Sequence, residues 1–217
     1  MLFKEKTKLK IYLQRKRYLQ ARQHFPELEP EIINLFFANF GYTMPLSLLV
    51  KLKSLCNATA CKFVVEFGSG LSTLVLSNAI SPNGFVISFE ENIEWLSNTS
   101  KLLNDQNRSI SLICLPSSQG MNYDLVLRYL SFPNKPELVV IDGPSKGDRF
   151  SPCALDVYHK LLSPNCICVI DDTDRRENNV GATNLAGDFS LRKIDYGDPI
   201  YTNHQYSILM PENIREF

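Results

Sequence analysis

Glu66 and Glu90 each end an apolar segment of this 217-residue chain, and two closely spaced glycines follow the first of them. These glycines are Gly68 and Gly70, and a stretch typical of a helix begins directly after them. Because a glycine has no Cβ, it adopts positive φ and lets a ligand approach the main chain closely. The start of a helix presents unpaired N–H groups, which suit the carboxylate or phosphate of a cofactor. The pattern therefore predicts a small-molecule binding turn, with a tight connection in any α/β protein as the alternative.

The position of Glu90 adds to this prediction, because it follows Glu66 by 24 residues. In a doubly wound sheet, an acidic residue about 20 positions beyond the glycine turn lies beside the ribose of a nucleotide-like ligand. Glu90 is therefore predicted to accept hydrogen bonds from ribose hydroxyls.

Further carboxylates end two later apolar segments, Asp142 after one and the adjacent pair Asp171 and Asp172 after the next. Ligands of an open α/β sheet bind beyond the carboxyl ends of its strands, so these side chains should lie at the same edge as the glycine turn. Carboxylates packed together repel each other unless they are protonated, separated by water or neutralised by a cation. A hard divalent ion such as Mg²⁺ takes oxygen ligands, so Asp142, Asp171 and Asp172 are its predicted ligands. Alternatively, Asp142 and Asp171 orient the cofactor or the acceptor while Asp172 caps the following helix.

The elements that would position these residues alternate between strand-like and helix-like patterns. The predicted strands cover 62–67, 84–90, 109–115, 137–142, 166–171, 188–195 and 205–210. The predicted helices after the first strand cover 71–80, 92–104, 151–162 and 179–186. This alternation is typical of a parallel sheet flanked by helices, and residues 61–217 are predicted to form that domain. Residues 1–60 are predicted to be a helical extension, with helices over 1–24, 31–40 and 45–55.

Charge is distributed unevenly, although the formal net charge is zero. Residues 1–24 carry eight basic residues and one acidic residue, Glu5, so their net charge is +7 and that of the remainder is −7. The segment is predicted to be an amphipathic helix that is solvated or docked on the acidic body. An anionic membrane surface or a partner protein is the alternative. Nucleic acid is not predicted as a partner, because the body lacks a basic stripe with interleaved aromatic residues.

With 44% apolar and 21% charged residues, the chain suits one sizeable core. No apolar run approaches the roughly 18 residues of a membrane span, and residues 1–24 are too polar for a secretory signal, so a cytoplasmic location is predicted. Six cysteines occur without a C-x-x-C pair. Most lie in or beside apolar segments, which favours buried thiols over a disulfide or a zinc site.

The segment Glu66-Phe-Gly-Ser-Gly-Leu-Ser-Thr73, together with Glu90, resembles the cofactor motifs of the class I S-adenosylmethionine-dependent methyltransferases. Thr73 stands where the dinucleotide fingerprint Gly-x-Gly-x-x-Gly has its third glycine, so S-adenosylmethionine is favoured over NAD. The resemblance covers roughly residues 60–211 and implies a Rossmann-like, doubly wound, mostly parallel seven-stranded sheet. It also implies that the N-terminal helices form a lid over the substrate side, or cap the core. The cofactor-binding residues that it implies are Glu66, Gly68, Ser69, Gly70, Ser72, Glu90 and Asp142.

The acidic trio Asp142, Asp171 and Asp172 is similar to the metal site of cation-dependent O-methyltransferases. There the metal binds the acceptor hydroxyl, lowers its pKa and holds the oxygen for attack on the methyl group. A lysine shortly after the first aspartate is the general base of catechol-type relatives, and Lys146 is the corresponding residue here at a spacing one residue longer. Asp142 is the predicted base if no metal is present. Lys146 and Arg149 are otherwise solvated loop charges, or Arg149 binds an anionic acceptor.

The resemblance predicts an O-methyltransferase that uses S-adenosylmethionine, assisted by Mg²⁺, to methylate a hydroxyl of a small molecule or glycan unit. Two alternatives remain open at this point. One is aminopropyl transfer on the same fold, and the other is a cofactor-binding or scaffold module that acts through its basic N-terminal helix. The three histidines, His24, His159 and His204, show no metal-ligand spacing and receive no predicted role. Acceptor identity and oligomeric state have no readable pattern, because acceptor pockets are assembled from variable loops.

Overall fold

A seven-stranded, mostly parallel sheet forms the centre of the molecule. The computed structural model describes residues 16–38, 43–103, 109–118, 120–130, 135–145, 147–199 and 203–214. The strands of the sheet are β1 (Phe63–Phe67), β2 (Phe85–Glu90), β3 (Ser109–Cys114), β6 (Leu138–Ile141), β7 (Ile167–Ile170), β8 (Arg192–Gly197) and β9 (Gln205–Met210). A separate two-stranded ladder consists of β4 (Pro116–Ser117) and β5 (Gly120–Met121). The sheet order is β3-β2-β1-β6-β7-β9-β8, and β9 runs antiparallel to both of its neighbours. The predicted fold class is therefore confirmed.

Helices cover both faces of the sheet. They are α1 (helical residues 16–24), α2 (Pro30–Ala38), α3 (Leu46–Thr59), α4 (Leu71–Ala79), α5 (Ile93–Leu103), α6 (Tyr123–Tyr129), α7 (Pro152–Leu161) and α8 (Arg176–Asp188). Local sequence explains several of their ends. Ser151 caps α7 by accepting a hydrogen bond from the Ala154 N–H, and Pro152 occupies the first turn, where its missing N–H costs nothing.

Most predicted elements occur, with two main differences. Strand β8 begins at Arg192 and not at 188, because α8 continues to Asp188 and Ser190 then turns the chain at φ +52°. Helix α6 and the ladder of β4 and β5 were not predicted. Much of the basic segment 1–24 lies outside the described residues, which include its last part as a helix from residue 16.

Two hydrophobic clusters lie on opposite faces of the sheet, because successive side chains of a strand point to opposite faces. Val64 of β1 packs on the face that carries α1 to α4, together with Ile33 and Leu52. Val65, the next residue, packs on the face that carries α6 to α8, together with Tyr158. Helices α1 to α3 therefore bury their apolar sides in the same cluster as the sheet, although the sequence predicted them as an extension.

Four cysteines are buried in this interior, as predicted: Cys56, Cys61, Cys166 and Cys168. Cys114 is half-buried and Cys153 is exposed. Among the described residues, no helix is both long and apolar enough to cross a membrane.

Candidate functional site

A cavity of about 750 Å³ opens at the carboxyl edge of the parallel strands. Its walls come from the turns that follow β1, β2, β6 and β7, from the residue before β9, and from the segment around α2 and the start of α3. Strand β9 is antiparallel, so its beginning lies at the edge where the parallel strands end. The volume falls within the range of about 300–1,000 Å³ that is typical of small-molecule sites.

The glycine turn after β1 forms one wall and is packed against the turn after β6. Gly68 has φ +91°, and a Cβ at this position would lie 2.8 Å from the backbone nitrogen of Gly143. A Cβ on Gly143 would lie 2.9 Å from the Gly68 nitrogen. The amides of Asp142 and Gly143 both donate to the carbonyl of Phe67, at 2.9 and 2.6 Å. Gly68 is therefore required for packing of the two turns, while its contact with a ligand stays a prediction. Gly143 has the same packing role, which was not predicted.

Glu66 lies beneath this turn and does not line the cavity. Its carboxylate is fully buried and accepts a hydrogen bond from the Thr73 hydroxyl at 2.6 Å, and that hydroxyl in turn accepts one from the Gly70 N–H at 2.9 Å. Burial raises the pKa of Glu66 to about 7, although hydrogen bonds from Ser72 and Thr73 oppose the shift. Glu66 and Thr73 therefore fix the turn to the start of α4. The cofactor roles assigned to Glu66, Gly70 and Ser72 stay predictions, and these three residues are outside the cavity lining, whereas Gly68, Ser69, Glu90 and Asp142 belong to it.

Glu90, at the end of the neighbouring strand β2, lines the cavity and is only 3% exposed. Its carboxylate stabilises the glycine turn. Its Oε2 atom accepts hydrogen bonds from the Ser69 N–H and the Ser69 hydroxyl, both at 2.8 Å. Its Oε1 atom accepts one from the Asn92 N–H at 2.9 Å. The indole N–H of Trp95 donates to the Ser69 carbonyl, so Trp95 also fixes the turn and lines the cavity. Burial raises the pKa of Glu90, while the hydrogen bonds from Ser69 and Asn92 oppose the shift.

Replacing Glu90 with glutamine should weaken both the fold and any cofactor binding. A glutamine has one acceptor oxygen, and its NH₂ group would face either the Ser69 donors or the Asn92 N–H. We expect a loss of about 1–3 kcal/mol in the free energy of unfolding, measured by urea denaturation, because a buried donor is left unpaired. Glu94→Gln, on the exposed side of α5, is the matched control and should change neither property. Unchanged stability of Glu90→Gln would show that this carboxylate does not hold the turn.

The carboxylates at the ends of β6 and β7 surround a buried arginine. The side chain of Arg149 is 5% exposed, and its Nη2 atom lies 3.0 Å from Asp172 Oδ2 and 3.6 Å from Asp142 Oδ1. Its Nε atom donates to the carbonyl of Pro144 at 3.1 Å. Arg175, half-exposed, contacts the same Asp172 oxygen at 3.0 Å. Arg149 is thus a buried partner of the acidic cluster, and its interpretation as a solvated loop charge is wrong.

Sequence reasoning also missed His204, which lies just before β9. Its Nε2 atom is 2.8 Å from Asp171 Oδ1, and its Nδ1 atom is 3.7 Å from Asp172 Oδ1. Partial burial opposes the charged form of His204, but the hydrogen bond and charge of Asp171 outweigh it, so the pKa of His204 is raised. The signal that could have found it is topological, since the predicted antiparallel end of the sheet requires the last strand to begin at this edge.

Two carboxyl groups of the cluster, those of Asp142 and Asp172, have raised pKa values. Burial raises the pKa of Asp142 well above its usual range, and the charge of Asp171 adds to the effect while Arg149 opposes it. Burial also raises the pKa of Asp172, with Arg149 and Arg175 opposing. The Asp142 carboxyl group therefore holds a proton more readily than an ordinary aspartate does.

The three predicted magnesium ligands do not form one compact group in this arrangement. Among the described residues, a compact group of three metal-ligating side chains consists of Asp171, Asp172 and His204, whose ligand atoms all lie within 4.8 Å of one another. Asp142 is not in this group, and Arg149 pairs with both Asp142 and Asp172. Mg²⁺ takes oxygen ligands, whereas the third member here offers an imidazole nitrogen. The predicted set of three carboxylates therefore does not fit a magnesium ion.

The N-terminal helices contribute to the cavity as well as to the core. Phe36 of α2 lines the cavity, and so do Thr43 and Pro45, which precede α3. This segment therefore packs in the core and also lines the cavity, and its role as a lid over the substrate side stays a prediction. The predicted catalytic residue Lys146 lies outside the described residues, so its role stays a prediction.

No family model and no curated protein matches the sequence, whereas many solved structures match the fold. A methyltransferase from Geobacter sulfurreducens has a TM-score of 0.64 at 13% identity, over 95% of this chain and 96% of that one. An O-methyltransferase from Bacillus cereus, solved with SAH, has a TM-score of 0.63 at 13% identity, over 83% and 89% of the two chains. The O-methyltransferase TomG from Streptomyces achromogenes, solved with SAM, has a TM-score of 0.61 at 14% identity, over 90% and 88%.

The chain has the class I methyltransferase fold. At identities of 13–14%, these comparisons show the fold and not the roles of individual residues. The methyltransferase fold does account for the location of the cavity, because ligands of open α/β sheets bind beyond the carboxyl ends of the strands.

Proposed function

We propose that the protein is an S-adenosylmethionine-dependent methyltransferase that methylates a hydroxyl oxygen of a small molecule or glycan unit. The observation that supports this most strongly is one cavity, within a class I methyltransferase fold, that joins three features. These are the glycine turn at Gly68 and Ser69, the carboxylate of Glu90 and the carboxyl group of Asp142.

The charge of the cavity suits a sulfonium cofactor. Its described lining carries five carboxylates against two guanidinium groups; the carboxylates are those of Glu90, Glu91, Asp142, Asp171 and Asp172, and the guanidinium groups those of Arg149 and Arg175. Such an excess of negative charge attracts the positively charged sulfonium and ammonium groups of S-adenosylmethionine. The same negative charge disfavours binding of the phosphates of a dinucleotide.

Glu90 has the acceptor capacity for one ribose hydroxyl. Each carboxylate oxygen has about two acceptor positions. Ser69 uses both positions on Oε2, and Asn92 uses one on Oε1. Among the described residues, no donor takes the second acceptor position of Oε1, and a ribose hydroxyl would donate its hydrogen bond there. Gly68 and Ser69 would contact the amino-acid part of the cofactor.

The transfer step needs the acceptor oxygen, the methyl carbon and the sulfur in line, and it needs removal of the hydroxyl proton. The acceptor hydroxyl oxygen attacks the methyl carbon, the bond from that carbon to sulfur breaks, and the hydroxyl proton passes to the Asp142 carboxylate. The products are a methyl ether and S-adenosylhomocysteine. The predicted ligands do not fit magnesium, so no step here uses a divalent ion.

Isothermal titration of the full chain tests the cofactor. We expect S-adenosylmethionine and S-adenosylhomocysteine to bind in the micromolar range and NAD to show no heat of binding. Transfer of labelled methyl groups to a panel of hydroxyl-bearing acceptors then separates an enzyme from a module that only binds the cofactor. Turnover of decarboxylated S-adenosylmethionine would favour aminopropyl transfer, and failure to bind S-adenosylmethionine would remove the proposal.

A further inference from the structure

The acidic cluster of the cavity contains a fixed cation. The guanidinium of Arg149 is held on one side by the Pro144 carbonyl and on the other by Asp172, with Asp142 at 3.6 Å from the same Nη2 atom. An arginine side chain stays charged throughout the physiological pH range. At 5% exposure, Arg149 cannot leave this place without exposing or abandoning its partners.

Two further side chains pair with the carboxylates of this cluster. Arg175 binds the Asp172 oxygen that Arg149 also binds, and the His204 ring lies within hydrogen-bonding distance of Asp171. Each carboxylate at the ends of β6 and β7 therefore has a nitrogen-bearing partner in the protein itself. A dication entering this group would meet the positive charge of Arg149 at close range, which is unfavourable in a poorly solvated site.

We propose that the Arg149 guanidinium occupies the position from which a divalent cation would bridge Asp142 and Asp172, so that the acidic cluster is held together without a metal ion. Arg149 acts through the carboxylates and is a positioning residue. The proposal concerns the cavity of the proposed methyltransferase but does not depend on which cofactor binds there.

Binding of Mn²⁺ to the full chain at one fixed neutral pH tests this directly. Electron paramagnetic resonance of free Mn²⁺ reports binding without any need for activity. We expect the unmodified protein to bind no Mn²⁺ at micromolar concentrations. The apparent Mn²⁺ affinity of Arg149→Met should be at least about tenfold higher than that of the unmodified protein, because the carboxylates lose their fixed counter-charge. Arg128→Met, on the exposed surface of α6, removes the same charge far from the cluster and should gain no site.

Stoichiometric Mn²⁺ binding by the unmodified protein, lost in Asp172→Asn, would overturn the proposal whether or not Arg149→Met folds. A folded Arg149→Met, judged by circular dichroism, that gains no Mn²⁺ affinity would also overturn it. Titration of S-adenosylmethionine in the same samples separates the two proposals. Absent cofactor binding contradicts the methyltransferase assignment alone, and Mn²⁺ binding contradicts the role of Arg149 alone.

Discussion

Replacing Gly68 with alanine should destabilise the protein by about 3 kcal/mol, since a left-handed φ and a backbone overlap both penalise a side chain there. The residue has φ +91°, and its new Cβ would lie 2.8 Å from the Gly143 nitrogen. The opposing atom belongs to the backbone of a turn that is itself held by two hydrogen bonds to Phe67, so it cannot move alone. Urea denaturation measures the change in unfolding free energy, and binding of S-adenosylmethionine should be lost in parallel.

Gly187→Ala is the matched control, because a Cβ at that position would meet no atom within 4 Å. Gly187 lies within helix α8, where alanine is favoured over glycine by about 0.5–1 kcal/mol. The control should therefore be neutral or slightly more stable. A Gly68→Ala protein with unchanged stability would show that the turns after β1 and β6 are not in contact in solution.

Replacing Asp142 with asparagine should lower kcat by about 10²–10⁴-fold, the usual contribution of a general base. An asparagine has nearly the same shape and keeps a hydrogen-bonding group toward Arg149, but it cannot accept the hydroxyl proton. The affinity for S-adenosylmethionine, measured by titration, should fall much less than kcat, because Asp142 is one of five carboxyl groups in the described lining. Asp156→Asn, exposed on α7, is the control and should retain full activity.

The pH dependence of kcat gives an independent check on Asp142. Burial and the charge of Asp171 raise the pKa of Asp142 well above that of an ordinary aspartate. The base works only when deprotonated, so kcat should rise with pH through that elevated pKa and then level off. The Asp142→Asn variant should lose this rising limb. A profile of the unmodified protein that shows no such rising limb, or one that Asp142→Asn retains, would argue for another base, with Lys146 the first to test.

The local sequence patterns were sufficient to predict the strand, the turn and the helix around Gly68. Val64 and Val65 are both buried, one on each face of the sheet, as a run of β-branched residues predicts for a central parallel strand. The position of Glu90 at the cavity follows from the same reasoning. In these cases, residues that are close in sequence, or that end neighbouring strands, determine the geometry.

The partners of the acidic cluster were not predictable in this way. Arg149 is buried against the carboxylates of Asp142 and Asp172, which end two different strands, and the loop sequence around Arg149 does not indicate these partners. His204 is 33 positions from Asp171 and reaches it only because β9 inserts between β7 and β8. Helix α6 spans seven residues, too short to show a clear helical period.

Strand β9 also has a consequence for how the molecule is made. It is the last described strand in sequence, yet it pairs with both β7 and β8. While a nascent chain leaves the ribosome, β7 therefore presents an unpaired edge and β8 lacks its neighbour, a condition that favours wrong strand pairing. Emergence of β9 would close that edge and deliver His204 to Asp171 in one event, so chaperone dependence during synthesis should be greatest just before it.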